Sequence, residues 1–197
     1  MANSSHPNQH PPCFSCRVLL LIDVQVNMLS EKKGVPSSQS VRQNIQRILE
    51  HARSAKPPPR IIHVRSCGGP SDPDAPNTPG WQLVFSPLPH EHVIDKRKND
   101  AFADTKLGEL IPIDAEVIVV GMQSEYCVTA TCKSALERGN VVILIKGAHA
   151  TYDCVEIWNG GKITKAHDIE ADVEAKLEDA GANFLEMNYV SKLFEDR

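Results

Sequence analysis

No part of this chain approaches the roughly 18 consecutive apolar residues that a membrane-spanning helix needs. A basic stripe is missing too. Lys and Arg number 21 against 25 Asp and Glu, for a net charge of −4, and the cations are scattered. Nucleic acid is therefore not an expected partner. There is no Gly-x-Gly-x-x-Gly, and Gly160-Gly161 reads as a turn rather than a phosphate cradle. Asp-x-His and His-Glu-x-x-His are absent as well, so neither a metal site nor a cofactor is expected. Residues 1–12 are polar and proline-rich, the opposite of a signal peptide. That segment is expected to belong to a disordered tail over 1–15, and the default location is cytoplasmic. The six cysteines do not mark a disulfide-framed mini-protein. Cys13-Phe-Ser-Cys16 lacks the second ligand pair of a zinc site and precedes the first strand, where a redox motif does not sit.

What is present is a chain of 197 residues, 41% hydrophobic, with no linker to divide it; one domain over 16–197 is expected. Apolar, β-branched runs alternate with helical spacing. Strands are expected at 17–22, 60–64, 117–120, 141–145 and 183–186, with a short extended piece at 92–95. Helices are expected over 40–55, ended by Pro57-Pro-Pro59, at 105–111, after Gly121, and over 166–180 with Gly181 just past the end. A terminal turn is expected at 190–194. Residues 67–79, rich in Gly, Pro, Asp and Ser, form a long loop of the kind that lines active sites. This β–α alternation predicts a three-layer α/β/α fold, a mostly parallel sheet of about six strands flanked by helices.

Cys127 stands out. It follows the strand at 117–120 and falls in the first turn of the next helix, where α/β folds place ligands. Free N–H groups and the helix dipole there favour a thiolate, so a low thiol pKa is expected and Cys127 is a candidate nucleophile. Asp23 follows the apolar run 18–22. A carboxylate there is either a satisfied structural group, such as an N-cap, or one that the site uses. Gln25, two residues on, would hold a neighbour in orientation. Lys96 lies in the basic run 96–98, which reads either as solvated surface or, for Lys96, as a fixed positive charge pointing into a site. His149 follows another strand and offers a Cys–His pair as the ordinary alternative way to activate the thiol. His63 reads as a core residue, and His90 and His92 as surface.

Taken together and in order, Asp23-Val-Gln25, Lys96 ahead of Ala101-Phe102 and Thr105-Lys-Leu107, and Gly121-Met-Gln-Ser-Glu-Tyr-Cys127-Val128 resemble the isochorismatase-like cysteine hydrolases. The likeness runs from about residue 18 to 153. The resemblance implies Cys127 as nucleophile, Asp23 as general base and Lys96 as electrostatic partner. It further implies a cis peptide at Met122–Gln123 and an oxyanion hole made by the N–H groups of Gln123 and Cys127, which can contribute roughly 3 kcal/mol per donor. His149 then becomes pocket wall or a supporting residue. Gln25, Trp81, Phe102, Met122 and Tyr126 are the other candidates for the pocket.

Departures from the family narrow the substrate. The nicotinamidase branch carries metal-holding histidines after the second strand, whereas Arg65-Ser-Cys-Gly-Gly-Pro stands here. Where an acidic residue often precedes the Ala-His segment, this chain has Gly147. Cys127 tilts the expectation toward a small amide, ureide or related C–N bond. Two other functions stay open: a vinyl-ether hydrolase in which Asp23 matters more than Cys127, and a binding or thiol-sensing protein in which Cys132 or Cys154 resolves an oxidised Cys127. A small molecule is the expected partner, and assembly into a homo-oligomer is implied by resemblance alone.

Overall fold

The apolar runs at 18–22 and 117–120 form the two middle strands of a parallel sheet. The computed structural model describes residues 16–195, so the tail expected over 1–15, Cys13 included, lies outside the described residues. In chain order the elements are β1 (Arg17–Ile22), α1 (Ser38–Ser54), β2 (Arg60–Ser66), β3 (His92–Lys96), α2 (Leu107–Leu110) and β4 (Glu116–Met122). They continue as α3 (Thr129–Glu137), β5 (Val141–Ala150), β6 (Cys154–Glu156), β7 (Lys162–Thr164), α4 (Ala166–Asp179), β8 (Asn183–Leu185) and α5 (Val190–Leu193). The main sheet has six strands in the order β3-β2-β1-β4-β5-β8, and every pairing is parallel.

Two-residue alternation divides the sheet's side chains between two apolar layers. Leu19 and Leu21 of β1 and Ile118 and Val120 of β4 pack toward α1 and α5. Val18, Leu20 and Ile22, with Val117 and Val119, pack toward α2, α3 and α4. Helix α1 presents Val41, Ile45, Ile48, Leu49 and Ala52 to the sheet, a stripe at helical spacing. The expected three-layer arrangement is thus present. From β1 the chain winds out to β2 and β3, then returns to add β4 on the other side. The carboxyl ends of β1 and β4 therefore flank the switch point where open sheets take their ligands.

Two features were not expected. Val119 pairs with Leu144 but Gly121 pairs with His149, so β5 bulges across 145–148 and runs on to Ala150. The segment after it folds into an antiparallel hairpin, β6–β7, closed through Gly160 and Gly161 at positive φ. Gly121 itself is dictated by crowding. Its φ is +126°, and a Cβ there would meet the Ile22 carbonyl at 1.9 Å.

The connection leading into β3 is pinned by a buried polar cluster. Arg53 of α1 donates from Nε and Nη2 to the Glu91 carboxylate at 2.7 and 2.8 Å. His63 Nε2 of β2 lies 2.9 Å from the same group, and the Leu88 N–H donates to it at 3.0 Å. Burial pushes the Glu91 carboxyl up, but these donors outweigh it and hold it at about 2. Burial likewise holds His63 below its usual value, against the pull of Glu91.

Both shifts act in the same direction on stability. Glu91 stabilises the fold above its ordinary 4.5 and loses that contribution as pH falls toward about 2. Below 6.5 the unfolded chain protonates at His63 before the folded one does. The melting temperature is therefore expected to fall from pH 6.5 downward and to keep falling between 4.5 and 2. Glu91→Gln should lower it at neutral pH and flatten the lower part of the curve. Thermal melts across pH check this, and parallel curves for parent and variant would contradict it.

Candidate active site

Asp23 is the first residue past β1, and its N–H donates to the Val64 carbonyl of β2 at 2.9 Å. Its φ is +50°, a left-handed conformation that a short polar side chain tolerates better than most. The turn that follows is tight, with the Gln25 N–H bound to the Asp23 carbonyl at 2.8 Å. Lys96 is the last residue of β3 and lies across the end of β2, in register with Ser66. Cys127 comes from the other side of the switch point. It sits in a π-helical turn, Ser124–Val128, between β4 and α3 rather than in a regular first helical turn. The Met122–Gln123 peptide leading into that turn is cis.

These three side chains meet. Lys96 Nζ lies 2.8 Å from Asp23 Oδ2 and 3.1 Å from Cys127 Sγ. Asp23 and Lys96 are only 1% and 3% exposed, whereas Cys127 is half-buried and open to one side. The second carboxylate oxygen, Asp23 Oδ1, is buried with no hydrogen-bond partner among the described residues. The Cys127 thiol stands close enough to interact with that carboxylate.

The electrostatics correct one expectation. Burial, and then the charge of Asp23, push the Cys127 thiol up to about 12, while Lys96 pulls the other way. No low thiol pKa results in the resting site. The helix-dipole expectation presumed a regular helix start and took no account of a carboxylate beside the sulfur. Burial also raises Asp23, against the opposing charge of Lys96. For Lys96 burial works downward, and the charges of Asp23 and Cys127 outweigh it. One cation thus supports one anion at a time. While Asp23 is charged beside Lys96 the thiol is disfavoured as a thiolate, and moving the thiol proton onto Asp23 leaves the site's total charge unchanged.

The other candidate pocket residues fare unevenly. Gln25 is fully buried, and its side-chain amide is engaged with the backbone. Its Nε2 donates to the Ser66 and Trp81 carbonyls at 3.1 Å each, and its Oε1 accepts from the Ser66 N–H at 2.8 Å. It clamps the ends of β1 and β2 rather than facing a ligand. Met122 is a correction: it is 0% exposed and packs in the apolar layer under α1. His149 is 2% exposed, with its ring between Ser124 and Glu174, so of the two expected roles the supporting one fits its place and the pocket wall does not. Phe102 packs against the opposite layer with the Arg138 guanidinium 4.9 Å from its ring centroid. Trp81 is half-buried under Arg65, at 3.3 Å, and its Nε1 donates to Cys67 Sγ at 3.2 Å. Tyr126, beside Cys127, is exposed.

Two residues near the sulfur went unassigned in the sequence. Asn99 Oδ1 lies 3.8 Å from Cys127 Sγ, the outer limit for a sulfur hydrogen bond, and it was hidden in a charged run that read as solvated surface. Ser124 stands within the Gly-x-x-Ser-x-x-Cys pattern, but nothing local told its partner. A cleft of about 390 Å³ is lined in part by Asn27, Met28, Asp72, Asp74, Gln123 and Tyr152; it reaches the turn that carries Cys127 at Gln123, but none of the three side chains lines it. Asp74 is near enough for Asp23 to feel its charge. A larger hollow of about 780 Å³ at the start of α1 contains none of the three. Among the described residues no group of three or more His, Cys, Asp or Glu is placed to hold a metal ion.

Residues 17–159 match the family model described as the isochorismatase domain. The chain is 38% identical over 172 residues to a streptothricin hydrolase of Streptomyces noursei, a match covering 85% of this chain and 58% of that protein. A second streptothricin hydrolase of that organism is 42% identical over 142 residues, covering 70% and 55%. The chain thus spans little more than half the length of these relatives. Among solved structures, an isochorismatase from Pseudomonas putida KT2440 is 30% identical, with a TM-score of 0.78 over 91% of this chain and 93% of that one. The N-carbamoylsarcosine amidase of Thermoplasma acidophilum, 16% identical with a TM-score of 0.71 over 87% and 96%, shares the fold. With a family match over most of its length and relatives at this identity, the chain belongs to the isochorismatase-domain family.

Proposed function

We propose that the chain is a metal-independent cysteine hydrolase that cleaves a small amide, ureide or related C–N bond. The observation that carries this reading is the single buried ammonium of Lys96, held between the Asp23 carboxylate and the Cys127 sulfur at 2.8 and 3.1 Å. Relatives named as streptothricin hydrolases support a hydrolytic role.

The chemistry follows from the charge count. Asp23 takes the thiol proton through its unpartnered Oδ1, and the new thiolate keeps Lys96 as its counter-ion. The sulfur attacks the sp² carbon of the substrate, and the carbonyl electrons move onto oxygen. The backbone N–H groups of Gln123 and Cys127 hold that oxyanion, each contributing roughly 3 kcal/mol. Collapse breaks the C–N bond while Asp23 returns its proton to the leaving nitrogen, so ammonia or an amine departs and a thioester remains. Asp23, again a carboxylate, then draws a proton from water, which attacks the thioester and releases the acid and the thiol.

Burial's upward push on Asp23 also suits a second reading, in which Asp23 protonates the carbon of a vinyl ether. The two readings separate on substitution. A panel of small amides and ureides, assayed for release of ammonia or amine, is expected to yield a substrate on which Cys127→Ala loses roughly a thousandfold or more in kcat with an unchanged melt. Full turnover in Cys127→Ala together with loss in Asp23→Asn would support the ether reading and overturn the amide one.

Thiol alkylation tests the coupling without a substrate. Asp23 raises the Cys127 thiol and Lys96 lowers it. Asp23→Asn should therefore shift the pH profile of iodoacetamide labelling at Cys127 downward, and Lys96→Met should shift it upward. Mass spectrometry locates the label. Shifts in the same direction, or none, would contradict the shared-counter-ion arrangement.

A further inference from the structure

Behind Cys127 a chain of polar groups crosses an otherwise apolar layer. Ser124 opens the turn that carries Cys127 and is 0% exposed, and its Oγ lies 2.9 Å from His149 Nδ1 on β5. On the far side of the ring, Nε2 is 3.3 Å from Glu174 Oε1 on α4, within ion-pair distance but without the alignment of a hydrogen bond. Lys146 Nζ stands 3.4 Å from the other Glu174 oxygen. The Ser124 carbonyl is in turn bound by the Thr129 hydroxyl at 2.7 Å, where α3 begins. His149 reaches this place because β5 bulges across 145–148, which sets it opposite Gly121 at the end of β4.

The chain has a direction. Interaction with His149 comes first among the causes that hold Glu174 below the usual carboxylate range, so Glu174 faces the ring as an anion. With a carboxylate on the Nε2 side, the arrangement that uses both ring nitrogens has the proton on Nε2 and Nδ1 as acceptor. The Ser124 hydroxyl then donates to Nδ1 and its rotamer is set. An apolar side chain would fill the same slot without burying three polar groups. The directional alignment of those groups is what an apolar filler cannot supply.

We propose that His149 is a positioning residue for the nucleophile: through Ser124 it fixes the 124–128 turn, and so keeps Cys127 Sγ at its 3.1 Å approach to Lys96. This rests on the reading of Cys127 as nucleophile, and nothing in the chain Ser124–His149–Glu174 touches substrate.

The test compares iodoacetamide labelling rates at Cys127 with melting temperatures in the parent, Ser124→Ala, His149→Leu, His149→Gln and His149→Asn. Asparagine puts its amide where Nδ1 stands and can still engage Ser124, whereas glutamine puts it near Nε2. Ser124→Ala, His149→Leu and His149→Gln should slow labelling roughly 10- to 100-fold, the effect of a misplacement on the order of 1 Å. His149→Asn should stay within about threefold of the parent on the same scale. Long-range ¹H–¹⁵N spectra should find the ring proton on Nε2. Ser124→Ala removes a single hydroxyl and so serves if the His149 variants do not fold. Parent-like labelling in Ser124→Ala would overturn the proposal, as would slowing that tracks melting equally in His149→Asn and His149→Gln. Slow labelling of the parent at neutral pH is expected of a neutral thiol, and the Ser124→Ala comparison at alkaline pH decides the role of His149; undiminished amide turnover in Cys127→Ala contradicts the hydrolase reading instead.

Discussion

One buried positive charge organises the carboxyl edge of this sheet. Lys96 lies almost wholly out of water, a state that costs several kcal/mol for an ammonium unless an anion accompanies it. Asp23 is that anion, and it is equally buried. Removing one partner would strand the other, at about 3–5 kcal/mol. The ends of β1 and β3 are thus tied together across β2. Gln25 adds a second tie by engaging Ser66 and Trp81, which anchors the long loop after β2 to the turn after β1. The Arg53–Glu91–His63 cluster pins the approach to β3 from the other end. Each of these contacts serves to bring a lysine from one strand beside a sulfur that enters from the opposite side of the switch point.

The same charge sets the chemistry. A site with one cation and two groups able to be anions cannot ionise both without leaving one uncompensated. The thiol is therefore held as a thiol, and ionises only by giving its proton to the neighbour whose negative charge it replaces. Such a nucleophile is protected from casual alkylation and oxidation, which favour preformed thiolates. One of the two resolving thiols that a sensor would use is poorly suited to the task. Cys132 is fully buried in the layer under α3, and burial pushes its thiol up to about 12.

The strands were legible because they depend on local pattern. A β-branched run ending in a polar residue marks a strand end, and α/β sheets gather strand ends at one edge. Local pattern marked Cys127 but left Asp23 and Lys96 with two readings each, and the family resemblance joined the three. Met122, and the pocket-wall reading of His149, failed for a common reason. Each lies at or beyond a strand end, where a side chain goes to the pocket or the core according to the pleat, and the bulge in β5 resets that pleat by tertiary pairing. The β6–β7 hairpin was missed because its strands are three residues each, too short to show a period. The thiol's direction of shift was misjudged because a helix dipole acts weakly over the first turn, whereas burial, and after it a carboxylate beside the sulfur, push the thiol up strongly.

The protonation state of the resting site tests this picture most directly. The far-ultraviolet difference spectrum between the parent and Cys127→Ser reports thiolate at position 127 without any reagent or substrate. A neutral thiol paired with an Asp23–Lys96 ion pair predicts no thiolate band at neutral pH in the parent, and a band that emerges there once Asp23→Asn removes the competing anion. A thiolate band in the parent at neutral pH, unchanged by that substitution, would contradict the shared counter-ion on which the proposed chemistry depends.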